Sequence, residues 1–147
     1  MNKKLFIYYS ETGNGDLVAE HYKNKNYDIE KIISKKLPKT LFFQMMVGGF
    51  RATAGIKPKI NELTKDINNY DEIIIGSPIW NDRLCAPIRT LLSKYDFTNK
   101  KVNFVLYSGG GSANTATEFI NTNYPDAKVV VLRQPKENLN QIEKELL

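Results

Sequence analysis

The chain has very little of what several common classes of protein need. It has one cysteine, Cys85, which excludes an internal disulfide and fits a reducing compartment. It has one histidine, His21, so catalysis by a Ser–His or Cys–His pair has little support. Neither residue has the companions that a metal site requires. We therefore expect no metal site and no dedicated catalytic side chain.

Long hydrophobic runs are also missing from the chain. The basic start leads into Leu5–Tyr9, which is too short for the apolar core of a signal peptide. No stretch approaches the roughly 20 apolar residues of a membrane span. These absences predict a cytoplasmic protein without a membrane span. With 41% hydrophobic and 25% charged residues, we expect a single domain over residues 1–147.

The net charge of +5 is distributed unevenly. Residues 1–60 hold eleven Lys or Arg and five Asp or Glu, whereas residues 61–147 hold ten and eleven. The simplest interpretation is a solvated basic face, and a docking surface for an acidic partner is the alternative. Nucleic-acid binding is not expected, because the aromatic residues are not interleaved with basic ones. The candidate docking cluster comprises Lys31, Lys35, Lys36 and Lys39.

Short apolar runs alternate with amphipathic segments along the chain. This alternation predicts an α/β fold with a five-stranded parallel sheet of order 2-1-3-4-5 and helices on both faces. The predicted strands are Leu5–Tyr9, Ile29–Ile33, Glu72–Gly76, Val102–Tyr107 and Lys128–Leu132. The predicted helices are Asn14–Lys23, Thr40–Val47, Pro87–Tyr95, Ala113–Asn121 and Leu139–Leu147.

The first motif of ligand-binding type follows the first predicted strand and reads Ser10-Glu11-Thr12-Gly13-Asn14-Gly15. A strand that enters a Ser/Thr/Gly turn and then a helix can cradle a phosphate, because backbone N–H groups converge at the helix start. An ordinary turn capped by Thr12 or Asn14 is the alternative. No lysine follows the glycines, so the motif is not a P-loop. Val18 stands where a dinucleotide fingerprint has its third small residue.

Two further loops of this type follow predicted inner strands. The second contains the only tryptophan, Trp80, which can stack on a planar ring or simply cover the strand end. The third has three consecutive glycines that expose backbone amides, and a flexible loop is the alternative. The second loop reads Gly76-Ser77-Pro78-Ile79-Trp80-Asn81-Asp82-Arg83, and the third reads Tyr107-Ser108-Gly109-Gly110-Gly111-Ser112-Ala113.

The three loops together decide the interpretation. In the predicted strand order they lie on one edge of the sheet. Strands one and three flank the point where the strand order reverses, and strand four lies next to them. The three loops can hold a phosphate at one end and a flat ring at the other.

The combination resembles the short-chain flavodoxins over essentially the whole chain. The first loop is similar to the family's Ser/Thr-x-Thr-Gly-x-Thr phosphate loop, the second to its Gly-x-Pro-x-Trp loop, and the third to its ring-wrapping loop. The resemblance implies a three-layer flavodoxin-like sandwich with FMN as cofactor. It also implies Trp80 stacked on one flavin face, backbone groups of Asn81 and Asp82 near N5, and the amides of Gly109–Ser112 near the pyrimidine edge.

The chain departs from that family pattern at several positions. Gly15 replaces the usual final hydroxyl residue, and Asp16, which follows it, has to point away from a phosphate. The third loop has no aromatic residue to cover the second flavin face, and the chain is basic where electron-carrier flavodoxins are usually acidic. An uncovered face leaves room for a substrate, as in flavin and quinone reductases.

The expected function is therefore redox chemistry with FMN. The enzyme version is an NAD(P)H- or quinone-linked oxidoreductase, and the carrier version exchanges electrons with a redox partner protein. The alternative is a non-enzymatic flavodoxin-like module that has lost flavin and binds a partner. The expected cofactor-binding residues are Ser10–Gly15, Ser77–Asp82 and Ser108–Ser112.

Overall fold

The computed structural model of the chain describes residues 3–34 and 58–146. The predicted helix Thr40–Val47 lies outside these residues, as do Lys35, Lys36 and Lys39. The elements are β1 (Lys4–Tyr8), α1 (Asn14–Lys23), β2 (Asp28–Lys31), a short 3-10 helix (Ile67–Asn69), β3 (Glu72–Trp80), β4 (Arg83–Leu84), α2 (Ala86–Lys94), β5 (Lys101–Ser108), α3 (Asn114–Asn123), β6 (Val129–Arg133) and α4 (Leu139–Glu145).

The sheet has the order β2-β1-β3-β5-β6, and all of these neighbours pair in parallel. Counted along the chain, these five strands follow the order 2-1-3-4-5, so the predicted α/β fold is confirmed. The parallel direction follows from the helical crossovers, which return the chain to the same starting edge each time.

A sixth strand, β4, was not predicted. It pairs antiparallel with the end of β3, joining Ile79 to Leu84 and Trp80 to Arg83. Asn81 and Asp82 form the two-residue turn with φ of 52° and 61°, a left-handed conformation that Asn and Asp tolerate well and that suits tight hairpins. The predicted third strand, Glu72–Gly76, therefore ended too early, because pairing with β5 continues through Pro78 and the hairpin extends the strand to Trp80.

Helices cover both faces of the sheet and give it three layers. On one face, Ile73 and Ile75 belong to a buried cluster that also contains residues of α2 and α3. On the other face, Phe6 and Ile74 belong to a cluster with residues of α1 and α4. Neighbouring residues of one strand thus serve opposite clusters, as the pleat requires. Placing α1 and α4 on the same face brings the loops that precede them together.

Gly76 is explained by the sheet rather than by a ligand. A Cβ at this position would lie 2.7 Å from Cζ of Phe6 on the adjacent strand, which is too close for any real side chain. The glycine therefore lets the Phe6 ring lie across β3.

Within the described part of the chain, no helix is long and apolar enough to cross a membrane.

Candidate functional site

The loops that follow β1, β3, β5 and β6 lie at the carboxyl edge of the parallel sheet. The sequence predicted a role for the first three loops. The structure adds the fourth, Arg133–Asn138, which forms hydrogen bonds to both the first and the third loop. The site therefore consists of four connected loops.

Two backbone N–H groups of the first loop converge on one side-chain oxygen, and others in the loop are left free. Ser10 Oγ accepts hydrogen bonds from the N–H groups of Gly13 at 3.2 Å and Gly15 at 3.1 Å. Among the described residues, the N–H groups of Thr12, Asn14 and Asp16 have no acceptor. Because α1 begins here, its partial positive charge adds to these free donors. The loop has the electrostatics that an anion requires.

Tyr107 explains why position 15 is glycine. A Cβ at Gly15 would lie 2.5 Å from the Tyr107 hydroxyl oxygen and 2.8 Å from Cβ of Ser10. The Tyr107 hydroxyl donates a hydrogen bond to the carbonyl oxygen of Tyr9, and burial raises its pKa well above the ordinary value. The phenol thus occupies the space of the missing side chain. Nothing in the loop sequence itself indicates this contact.

Asp16 turns away from the first loop toward β2. Its Oδ1 accepts hydrogen bonds from the Tyr8 hydroxyl at 2.6 Å and from Lys31 Nζ at 2.9 Å. Partial burial raises the pKa of Asp16, but these two hydrogen bonds and the positive charge of Lys31 together leave the pKa below its ordinary value. Lys31, one member of the candidate docking cluster, is thus already paired with a carboxylate, although both side chains are about half exposed.

Two predicted residues of the second loop face the interior. Ser77 is fully buried, and its hydroxyl oxygen lies 2.7 Å from the Pro78 carbonyl oxygen and accepts a 3.1 Å hydrogen bond from the N–H of Cys85. The Trp80 indole is 6% exposed and meets the Tyr9 ring edge-on, with ring centroids 5.9 Å apart. The structure buries Trp80 in the core at the end of the extended β3, and its stacking on a flavin face stays a prediction.

Asp82 ties the hairpin turn to the helix that follows the third loop. Its carboxylate accepts hydrogen bonds from the N–H of Asn114 at 2.9 Å and from the N–H and hydroxyl of Thr115 at 2.9 and 2.8 Å. Its carbonyl oxygen accepts from the N–H of Ala116. The bonds from Thr115 and Asn114 hold the pKa of Asp82 below its ordinary value. The resemblance assigned Asp82 only a backbone role, so this side-chain role was missed.

The third loop is closed at its base and open at its tip. Ser108 donates a hydrogen bond to the Ser112 carbonyl oxygen at 2.7 Å. A Cβ at Gly109 or Gly110 would meet no atom within 4 Å, so these glycines border open space. Gly111 has φ of 85°, which favours glycine. The exposed backbone of this loop is accessible to a ligand.

The fourth loop fixes the first and third loops relative to each other. Gln134 donates to the Ser108 carbonyl oxygen from its backbone and to the Gly109 carbonyl oxygen from its side chain, at 3.0 and 2.8 Å. Lys136 donates to Asn14 Oδ1 from its backbone and to the Thr12 carbonyl oxygen from Nζ, each at 2.9 Å. The sequence analysis missed this fourth loop. Its position directly after the last parallel strand places it at the same edge of the sheet as the other three loops and could have indicated its role.

The comparisons agree with this architecture. A sequence model of the flavodoxin family matches residues 50–145, and the chain belongs to the flavodoxin family. This match includes the second, third and fourth loops and begins after the first. No curated protein matches the chain.

Solved structures match the fold over nearly the full length. A putative flavoprotein from Bacteroides uniformis is 26% identical with a TM-score of 0.73, covering 98% of this chain and 99% of that one. One from Bacteroides eggerthii is 22% identical with a TM-score of 0.72, covering 100% and 99%. A flavoprotein from Lactobacillus acidophilus in complex with FMN is 22% identical with a TM-score of 0.63, covering 97% and 99%.

We predict that Asp82→Ala lowers the free energy of unfolding at pH 7 by about 1 kcal/mol, the usual loss for a helix cap. Because the folded pKa of Asp82 is lowered, its stabilisation is complete above its unfolded pKa and is lost as the pH falls through the folded value. The difference from the wild type should therefore shrink at about pH 2.5. Urea unfolding at both pH values measures this.

The matched control is Asp126→Ala, because Asp126 is exposed and forms no hydrogen bond with the described residues. This control should unfold like the wild type at both pH values. A loss for Asp82→Ala that is the same at both pH values would contradict the ionised cap.

Proposed function

We propose that this chain binds FMN and transfers electrons through it. The observation that carries the proposal is the cluster of free backbone N–H groups in the first loop, on the same sheet edge as the open glycine loop. Membership of the flavodoxin family supports it, as does the FMN held by the related Lactobacillus acidophilus flavoprotein.

The first loop fits the phosphate end of FMN. The free N–H groups of Thr12, Asn14 and Asp16 are suitable donors to phosphate oxygens, and the exposed Thr12 hydroxyl is another. Asp16 does not oppose the phosphate at close range, because its carboxylate is bound to Tyr8 and Lys31. A single cradle of this kind suits a mononucleotide and favours FMN over FAD.

The second and third loops fit the ring end. The turn Asn81–Asp82 is held by its bonds to α3, and the backbone at Gly109 and Gly110 borders open space. Bound FMN would supply the redox chemistry. These residues would orient the ring and limit its contact with water, and no side chain of the site has to act as an acid or base.

Trp80 is proposed as a wall of the ring site. Its indole lies at the end of β3, directly before the Asn81–Asp82 turn. Burial of the indole among core residues makes it a rigid support, and contact with a flavin would involve the small part of the ring that remains exposed.

The electron donor and acceptor can be either small molecules or a protein. In the reductase version, NAD(P)H or a quinone approaches the flavin face that the glycine loop leaves uncovered. In the carrier version, an acidic redox partner docks on the basic amino-terminal half, in the cytoplasm. Oxidation of NAD(P)H by the flavin-loaded protein with a free quinone present would support the first version.

A flavin-free partner-binding module is the second candidate. Gly15 supports it, because the loop lacks one hydroxyl donor. The arrangement of the loops argues against it, because the free N–H groups of the first loop and the open glycine loop lie on the same sheet edge, where a flavin would need both. The colour of the purified protein separates the two candidates, since bound oxidised flavin is yellow.

We predict that the protein binds one FMN and releases FMN when it is heated. Titration of the flavin-free protein, followed by flavin fluorescence, should show tighter binding of FMN than of riboflavin, which has no phosphate. Thr12→Val should raise the Kd for FMN about tenfold to hundredfold, because a hydrogen bond to a charged group contributes roughly 1.5–3 kcal/mol.

Thr122→Val on the exposed side of α3 is the control and should bind FMN like the wild type. Release of FAD as the main flavin, or equal affinities for FMN and riboflavin, would contradict the phosphate assignment of the first loop.

We also predict that Trp80→Phe weakens FMN binding several-fold, because aromatic contacts contribute roughly 0.5–1.5 kcal/mol beyond area burial and a smaller ring retains only part of that. Phe97→Leu is the control, since Phe97 is 1% exposed and lies in the same core cluster just before β5, at the opposite sheet edge. Titration of both flavin-free variants with FMN measures the two Kd values, and Phe97→Leu should bind FMN like the wild type. Unchanged affinity for Trp80→Phe would leave Trp80 a core residue only.

A further inference from the structure

We infer that Lys136 is a phosphate-binding residue of the cofactor site, which it reaches from the fourth loop. The inference rests on the proposed binding of FMN and assigns a charged partner to the phosphate. The sequence resemblance named no residue after β6, so this role belongs to the chain's own geometry.

Lys136 is anchored to the first loop by its backbone and by the end of its side chain. Its backbone N–H donates to Asn14 Oδ1, and its Nζ donates to the Thr12 carbonyl oxygen, both at 2.9 Å. Nζ also lies 3.8 Å from the position that a Cβ on Gly13 would occupy. The ammonium group is therefore held against the same loop that carries the free N–H groups, and both are suited to binding an anion.

The fold explains this placement. Helices α1 and α4 pack on the same face of the sheet, so the segment between β6 and α4 has to pass the loop before α1. Gln134 has φ of 38°, in the left-handed region, and its bonds to Ser108 and Gly109 fix the turn that leads to Lys136. The position of Lys136 is thus set by several backbone contacts.

Charge balance gives Lys136 a task that no other cation performs within residues 3–34 and 58–146. The two carboxylates beside the loop, Glu11 and Asp16, accept hydrogen bonds from Tyr9 and Tyr8, and Lys31 pairs with Asp16. Among the described residues, Lys136 is the cation that contacts the loop itself. A phosphate monoester carries about −1.5 to −2 charges at pH 7, which favours such a cation.

The ammonium group also compensates for the glycine at position 15. Tyr107 occupies the space in which a hydroxyl side chain would stand, so that donor is lost. An ammonium group has three N–H donors, and the Thr12 carbonyl oxygen uses one of them. The remaining donors are available for charge-assisted hydrogen bonds to phosphate oxygens, which are about twice as strong as neutral ones.

The test compares FMN with riboflavin, which lacks the phosphate, on the full-length flavin-free protein at low salt. Lys136→Met should raise the Kd for FMN about tenfold to hundredfold and leave the Kd for riboflavin unchanged. Lys136→Arg should retain most of the FMN affinity. Lys144→Met, an exposed lysine of α4, is the control and should match the wild type for both flavins.

The outcomes are distinguishable. If the wild type prefers FMN and Lys136→Met keeps that preference, the role of Lys136 is overturned while the proposed function stands. An equal loss for FMN and riboflavin would likewise overturn it, because it would show that Lys136 only maintains the loop. A wild-type protein that binds neither flavin would overturn the proposed function and the inference together. Thermal melts of each variant confirm that the fold is retained.

Discussion

Parallel pairing of β1, β3, β5 and β6 is the constraint on which the candidate site depends. Because these strands run in the same direction, the loops that follow them all lie at one edge of the sheet. The register also matters, since a shift by one residue would send every side chain to the opposite face. Ile74 and Ile75 would then exchange clusters, and α1 and α4 would lose the face that brings the first and fourth loops together.

A few long-range hydrogen bonds turn this edge into a preorganised surface. Asp82 joins the hairpin turn to α3, Gln134 joins the fourth loop to the third, and Lys136 joins the fourth loop to the first. Ordering these loops in advance reduces the entropy lost when a ligand binds. A flavin held at both ends by fixed backbone groups would keep its ring in one orientation.

The fold was predictable because the apolar pattern of each segment indicates whether it is a strand or a helix. Alternating strands and helices with right-handed crossovers then favour a parallel sheet with helices on both faces. The site was predictable only in outline. The hairpin depends on left-handed backbone at Asn81 and Asp82, and the longer β3 that results buries Ser77 and Trp80, whereas the motif alone left stacking and burial of Trp80 open. Gly15 looks like a missing donor in the sequence, and only the distant Tyr107 explains it. Such contacts between remote segments are set by packing rather than by local pattern.

Whether the four loops form one flavin site can be measured directly by an amide ¹H–¹⁵N NMR titration of the ¹⁵N-labelled protein with FMN. If the four loops form one flavin site, the largest shifts fall on the amides of residues 12–16, 81–82, 109–112, 133, 134 and 136, whereas amides at the opposite edge, such as those of Asp71 and Lys100, stay in place. Shifts that are largest outside these loops, or no shifts at saturating FMN, would contradict the claim that the four loops form one flavin site.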